Sequence, residues 1–169
     1  MNSLFTFLSS DFLPVPLPFK YHVFLTHNWG PEESNHQRVS QVNEALQTRG
    51  ILTWFDEDQM RGNIVDQMSR GIDDSMAVIV FVTNEYITKV AGQGQNGNND
   101  NCKLEFEYAC AHKRVENMIV VEMEDTKKPW IGSVGLHLGQ QLYHSFKRDY
   151  DLEPCVDALV DEIENRIPK

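Results

Sequence analysis

The sequence has few of the residues that cross-link chains, bind zinc or span membranes. Its 169 residues include only three cysteines, Cys102, Cys110 and Cys155, with no Cys-x-x-C pair and no His/Cys cluster. An odd number of well-separated cysteines predicts reduced thiols, a cytoplasmic protein and no metal site. No apolar run approaches the ~18 residues that a membrane-spanning helix needs, so no span is predicted.

Positive charge is also scarce. The chain has 15 Lys and Arg against 25 Asp and Glu, a formal net charge of −10. Such a surface does not neutralise phosphates, so nucleic acid is excluded as a predicted partner. An anionic dinucleotide would have to be bound by local donors. The length and the 41% hydrophobic content predict one globular domain with a sizeable core.

The first twenty residues are predicted to be an N-terminal extension, followed by a domain over residues 21–169. They lack the positively charged start and the small-residue cleavage site of a signal peptide. Pro14, Pro16 and Pro18 stand at alternate positions, which predicts an extended, polyproline-like chain. Both a packed arm and a disordered tail fit this pattern.

Strands and helices alternate from residue 21 onward. Periodicity predicts strands at 21–26, 51–55, 76–83, 118–123 and 141–146, and helices at about 35–49, 64–72, 84–90, 102–117 and 154–167. The run 76–83 is continuously apolar, which is typical of a buried parallel strand. The Gly- and Asn-rich segment 91–101 is predicted to be mobile. We therefore predict an α/β domain with a flavodoxin-like, doubly wound, mainly parallel five-stranded sheet, order 2-1-3-4-5, and helices on both faces.

Glu105 is the residue on which the functional interpretation depends. In a helix that starts near Cys102, it shares one stripe with Cys102, Phe106 and Ala109, whereas Glu107 lies about 200° round the wheel and faces water. A carboxylate on an apolar stripe costs free energy unless it is paired or used. A structural, salt-bridged glutamate and a functional acid both fit this position.

Doubly wound sheets bind ligands at the carboxyl ends of their strands, near the switch between strands 1 and 3. In this chain that edge carries residues 27–29, 56–62 and Thr83, and the dipole of the Glu105 helix points to it. A phospho-receiver would need acids after strand 1 and an Asp ending strand 3, and a flavodoxin would need a phosphate loop after strand 1. The chain has neither pattern.

Four short motifs resemble those of the Toll/interleukin-1 receptor (TIR) domain family, over residues 21 to about 167. They are YHVFLTH at 21–27, similar to the first box of the family; WFDEDQMRG at 54–62, similar to its second strand and BB loop; IDDS at 72–75, similar to its I-x-x-S turn; and CKLEF at 102–106. The last resembles the W-C-x-x-E-(L/F) motif of enzymatic members from the cysteine onward. Asn101 replaces the aromatic residue of that motif.

The resemblance implies a TIR-domain NAD+ nucleosidase. In TIR domains that cleave NAD+, the glutamate of the last motif is catalytic, and the match falls on Glu105. The implied products are nicotinamide and ADP-ribose or cyclic ADP-ribose, made in signal transduction or innate immunity from NAD+ or NADP+ as substrate, with no cofactor. Self-association through the BB loop, Asp56 to Gly62, is implied to activate the enzyme. The alternative is a non-enzymatic TIR–TIR assembly or adaptor module.

Four residues near the first two strands are candidates for binding the substrate. His27 and Asn28 are expected to hydrogen-bond it beside Glu105. Trp29 or Trp54 would supply the aromatic wall for the nicotinamide that the last motif lacks. Core packing is an equally good explanation for either tryptophan.

Four further candidates have competing explanations. Asp56 is expected to shape the BB loop, and Arg61 to meet the phosphates of the substrate or to pair with neighbouring acids. Ser75 is a lesser candidate for substrate binding. Cys102 has no base placed beside it by spacing, so it is expected to pack or to lend its amide at the helix start.

Overall fold

The computed structural model describes residues 12–55 and 63–168. In chain order, the strands and α-helices of these residues are β1 (Tyr21–Thr26), α1 (Ser34–Gln47), β2 (Thr53–Trp54), α2 (Ile64–Asp73), β3 (Ser75–Val82), α3 (Asn84–Val90), α4 (Asn101–Lys113), β4 (Met118–Glu122), α5 (Gly132–Leu138), β5 (Tyr143–Ser145) and α6 (Leu152–Arg166).

The strands form one parallel sheet in the order β2-β1-β3-β4-β5. This confirms the predicted flavodoxin-like doubly wound fold. All eight residues of β3 are buried, as its continuous apolar run predicts. Because the strands are parallel, their carboxyl ends lie at one edge of the sheet, where β1 and β3 are neighbours.

Two cores hold the helices on the sheet. Val23 and Leu25 of β1 pack with α1 and α6, whereas Phe24 between them packs with α2, α3, α4 and α5 on the opposite face. This follows from the alternation of side chains along a strand. Each large apolar side chain buried in this way stabilises the fold by about 1.5–3 kcal/mol.

The structure adds to the sequence-based prediction in three segments. The segment 91–101, predicted to be mobile, contains a 3-10 turn at Gly97–Asn99 and the buried Asp100. Helix α5 was not predicted, because seven residues with two glycines are too few for a helical period. In the described part of the extension, Leu13 donates a backbone hydrogen bond to Gly50 and packs on the α1–α6 core, so residues 12–20 form a packed arm.

Gly71 allows α2 to lie close to the sheet, and its replacement by Ala is expected to destabilise the protein. A Cβ there would lie 2.5 Å from Cε2 of Trp54, whose ring stacks on Phe24 with centroids 4.5 Å apart. We expect Gly71→Ala to lower the free energy of unfolding by about 1–3 kcal/mol through overpacking, partly offset by about 0.5–1 kcal/mol of helix propensity.

Urea unfolding followed by circular dichroism measures this effect. The exposed Arg70→Ala in the same helix is the control, with an expected change within about 0.5 kcal/mol. A Gly71→Ala protein as stable as the parent would show that the indole moves aside without cost.

Candidate active site at the carboxyl edge of the sheet

A cavity of about 170 Å³ lies at the carboxyl end of β1. The loop after β1, the first turns of α2, the α3–α4 connection and the first turns of α4 enclose it. Its lining residues are His27, Asn28, Trp29, Ile64, Met68, Lys89, Asn96, Asp100, Asn101, Cys102 and Glu105. Several of these residues, among them His27, Asn28 and Trp29, were predicted from the sequence to lie at this edge.

Glu105 is buried, with 6% of its surface exposed, whereas the Glu107 side chain is 48% exposed and pairs with Lys103 at 2.7 Å. This is the contrast that the helical wheel predicted. Oγ1 of Thr26 donates a 2.7 Å hydrogen bond to Oε2 of Glu105. The buried carboxylate is therefore held against the end of β1, beside the cavity.

The first turn of α4 is capped by the buried Asp100. Its Oδ1 accepts a hydrogen bond from the Cys102 amide at 2.9 Å, and its Oδ2 lies 3.4 Å from Nζ of Lys89. Burial opposes the charged form of Lys89, but the charge of Asp100 and its hydrogen bond outweigh it and raise the pKa of Lys89. The lining residues of the cavity thus include one lysine and two acids, Asp100 and Glu105.

Cys102 is a hydrogen-bond donor in this structure. Its thiol donates to the carbonyl oxygen of His27 over 3.6 Å, and its amide is taken by Asp100. Burial raises the pKa of the Cys102 thiol strongly, and Glu105 and Asp100 add to the effect. The thiol therefore stays protonated, which argues against a nucleophilic role.

His27 is part of a buried ring cluster. Its Nε2 lies 2.7 Å from Nδ1 of His36, and both rings stack against Phe55. Burial, with the charge of His36 adding to it, lowers the pKa of His27 to about 3. The ring is therefore neutral near pH 7 at the wall of the cavity.

Asn28 also lines the cavity, but its side chain is engaged within the protein. The amide nitrogen donates to Glu85 at 3.0 Å, and the amide oxygen accepts from Thr83 at 2.6 Å. Thr83 in turn caps α3 through the backbone amide of Tyr86. Asn28 ties the β1 loop to the start of α3, and the bond to Glu85 uses one of the two N–H groups of its side-chain amide.

The structure separates the two tryptophans. Trp29 is 41% exposed, lines the cavity and stacks on His36 with centroids 4.4 Å apart. Trp54 is 5% exposed, does not line the cavity and packs on Phe24 in the core. Core packing therefore explains Trp54. Its side chain lies in the core between the sheet and helices α2, α3, α4 and α5, and not at the carboxyl edge of the sheet.

The structure does not bring Ser75 to the site. It begins β3 and pairs with Tyr21, whereas Thr26 pairs with Val80. Ser75 is thus about 16 Å from the level of Thr26 along the strand. Its hydroxyl donates to the carbonyl of Gly71 and closes the α2–β3 turn. Asp56 and Arg61, with the rest of the BB loop, lie outside the described residues.

Several lining residues were missed from the sequence. Asp100 could have been found as an N-cap residue directly before the helix. Lys89 and Met68 had no such signal, because only the packing of α3 and α2 brings them to this edge. Across residues 12–55 and 63–168, no group of three His, Cys, Asp or Glu side chains could hold a metal ion. In the same part of the chain, no helix is long and apolar enough to cross a membrane.

A parallel sheet in the order 2-1-3-4-5, with a cavity and a buried acid at the carboxyl end of β1, defines a doubly wound α/β domain. A family model described as TIR domain matches residues 23–160. The chain therefore belongs to the TIR domain family. No protein of curated function matches its sequence.

Solved TIR structures share the fold. The TIR domain of the Toll-related receptor TRR-2 from Hydra magnipapillata is 19% identical, with a TM-score of 0.61 over 86% of this chain and 99% of that chain. A TIR-STING receptor from C. gigas, in complex with 2',3'-cGAMP, is 15% identical, with a TM-score of 0.66 over 94% of this chain and 42% of that chain. The RPS4 and RRS1 TIR domain heterodimer is 14% identical, with a TM-score of 0.59 over 86% and 96%. At these identities the likeness shows the fold alone.

Proposed function

We propose that this TIR domain is an NAD+ nucleosidase that cleaves the bond between nicotinamide and ribose. The observation that carries the proposal is the buried Glu105 carboxylate, which lines a cavity at the carboxyl edge of the sheet. Burying a carboxylate costs free energy, and a buried carboxylate beside a cavity can interact with a bound ligand. The match of Cys102–Phe106 to the motif of NAD+-cleaving members is independent support.

The chemistry requires one carboxylate. Nicotinamide leaves NAD+ as a neutral molecule, taking the electron pair of the C–N bond, so it needs no proton from a general acid. The ribose passes through an oxocarbenium-like state, as in glycoside hydrolysis. Glu105 would bind the ribose hydroxyls and stabilise the developing positive charge. Water then attacks the ribose carbon and releases a proton, giving ADP-ribose, or the adenine attacks in its place, giving cyclic ADP-ribose.

The lining of the cavity suits one end of such a substrate. Its volume is below the ~300–1,000 Å³ of pockets that enclose whole drug-sized ligands, so it would take the nicotinamide riboside end of NAD+. Trp29, Ile64 and Met68 offer an apolar wall to the ring. Glu105 and Asp100 offer negative charge to the cationic nicotinamide. Lys89 would be the nearby cation for the phosphate next to the nicotinamide riboside.

We also propose that self-association activates the enzyme in signalling or innate immunity. The structural similarity to TIR domains that form the RPS4–RRS1 heterodimer supports contact between TIR domains. The same observation supports the second candidate function, a non-enzymatic TIR–TIR assembly module. A cytoplasmic location is part of the proposal, supported by the free thiols of Cys102, Cys110 and Cys155.

Incubating the purified chain with NAD+ at a series of protein concentrations tests the proposal. We expect nicotinamide release, with an equal amount of ADP-ribose and cyclic ADP-ribose together by chromatography, and a rate per molecule that rises with concentration. NADP+ in parallel gives the substrate preference. Assembly measured by light scattering without any nicotinamide release would establish the adaptor function instead.

A further inference from the structure

We infer that Thr26 is a positioning residue for Glu105 and that, with Tyr86, it sets the orientation and charge of the carboxylate. The inference rests on the proposed function. Thr26 is 1% exposed at the last position of β1, and its hydroxyl donates to Oε2 of Glu105 at 2.7 Å. The two residues are 79 positions apart in the chain, so this contact joins β1 directly to α4.

The direction of the hydrogen bonds follows from the chemistry of a hydroxyl group. Thr26 has one hydroxyl proton, which it donates to Glu105. The Tyr86 hydroxyl, 3.1 Å from the same Oγ1, therefore donates its own proton to Thr26. Burial raises the pKa of Tyr86 well above its ordinary value, the charge of Glu105 adds to this, and the hydrogen bond with Thr26 opposes it. The phenol keeps its proton, and the order of donation is Tyr86 to Thr26 to Glu105.

The donor end of this chain is rigid. Tyr86 is fully buried, its ring meets Phe106 edge-on with centroids 6.4 Å apart, and its backbone amide is bound by the Thr83 hydroxyl at 2.9 Å. A fixed donor at Oε2 limits rotation of the carboxylate plane. A charge-assisted bond also favours the ionised over the protonated acid. Both effects prepare Glu105 to hold a ribose and to stabilise a cation.

Among the described residues, the other titratable groups that line the cavity are His27 after β1, Lys89 on α3, and Asp100 and Cys102 at the start of α4, while Tyr86 on α3 is joined to Glu105 through Thr26. Helix α2 contributes Ile64 and Met68, which do not titrate. His27 is neutral and the Cys102 thiol is protonated near pH 7. A substitution at Thr26 removes none of these groups, so its effect on Glu105 would be direct.

The test compares Thr26→Val, which removes the hydroxyl and keeps the shape, with Thr26→Ser, which keeps the hydroxyl. The side-chain carboxyl signal of Glu105, labelled with ¹³C and assigned by its loss in Glu105→Gln, is titrated by NMR in the full chain. We expect the titration midpoint to rise by about one pH unit or more in Thr26→Val and to stay within about 0.3 units in Thr26→Ser.

Kinetics provide the second readout. In Thr26→Val we expect kcat for nicotinamide release to fall by about 10-fold to 100-fold with little change in KM, and the acid limb of the pH–rate profile to move to higher pH. Thr26→Ser should restore both. Tyr86→Phe, which removes the first donor, should shift the NMR midpoint in the same direction by a smaller amount, and it serves as the test if Thr26→Val does not fold.

An unchanged Glu105 midpoint in Thr26→Val, or in Tyr86→Phe where that variant serves as the test, overturns the inference. Equal loss of kcat in the Val and Ser variants also overturns it, because the hydroxyl would then not be the group that matters. If the midpoint shifts in Thr26→Val but the parent protein releases no nicotinamide, the proposed function is contradicted and the hydrogen-bond assignment stands. The two failures are therefore distinguishable.

Discussion

Replacing Glu105 by Gln is expected to lower the rate of nicotinamide release from NAD+ by at least about 100-fold, the usual cost of removing one preorganised electrostatic group. The amide can still accept the hydrogen bond from Thr26, so α4 should stay in place. What is lost is the negative charge beside the ribose. The measurement is the initial rate of nicotinamide release at saturating NAD+, with folding checked by circular dichroism.

Glu107→Gln is the matched control for this experiment. It makes the same chemical change two residues along the same helix, on a side chain that is 48% exposed and paired with Lys103. Surface pairs of this kind contribute about 0–1 kcal/mol, so the variant should keep the parent's stability and rate. If the Glu105 variant also kept the parent's rate, the cavity would not be the site of cleavage.

Acidification from pH 7.5 to 5.0 is expected to remove about 2 kcal/mol of stability through His27 alone, with a slope that approaches about 1.4 kcal/mol per pH unit below pH 6. In the unfolded chain the imidazole takes up a proton near its ordinary pKa of 6.5, whereas burial and His36 lower the pKa of His27 in the folded chain to about 3. Between these values the unfolded state binds more protons. Stability is therefore present above pH 6.5 and is lost as the pH falls toward 3.

Urea unfolding at pH 7.5, 6.5, 5.8 and 5.0, in the parent and in His27→Gln, measures this contribution. The glutamine of the variant does not titrate in this range. Between pH 7.5 and 5.0 the free energy of unfolding of the His27→Gln variant should therefore fall by about 2 kcal/mol less than that of the parent. Burial also lowers the pKa of His22, and that contribution remains in both proteins. The pKa values of Glu122 and Glu162 lie below the ordinary 4.5, so these acids act mainly below the chosen range. Parallel pH profiles would show that His27 titrates normally in the folded protein.

The elements with long apolar patterns were predictable because their environment is uniform. Strand β3 is buried over its whole length, and its eight residues read as a strand without knowledge of any neighbour. Helix α6 has a continuous amphipathic stripe, with Val156, Leu159, Val160 and Ile163 buried. The short elements were less predictable. Strand β2 has two residues and is defined by its pairing with β1, which is a property of the sheet.

The sequence by itself determined the order of the five strands and of every α-helix except α5, and the burial of Glu105 rather than Glu107. These depend on local periodicity, which the chain carries in every few residues. Only the tertiary structure decided that Thr26 binds Glu105, that Trp29 rather than Trp54 lines the cavity and that Ser75 lies far from it. Those facts depend on contacts between residues far apart in the chain, whose side chains meet only when the sheet and its helices are packed together.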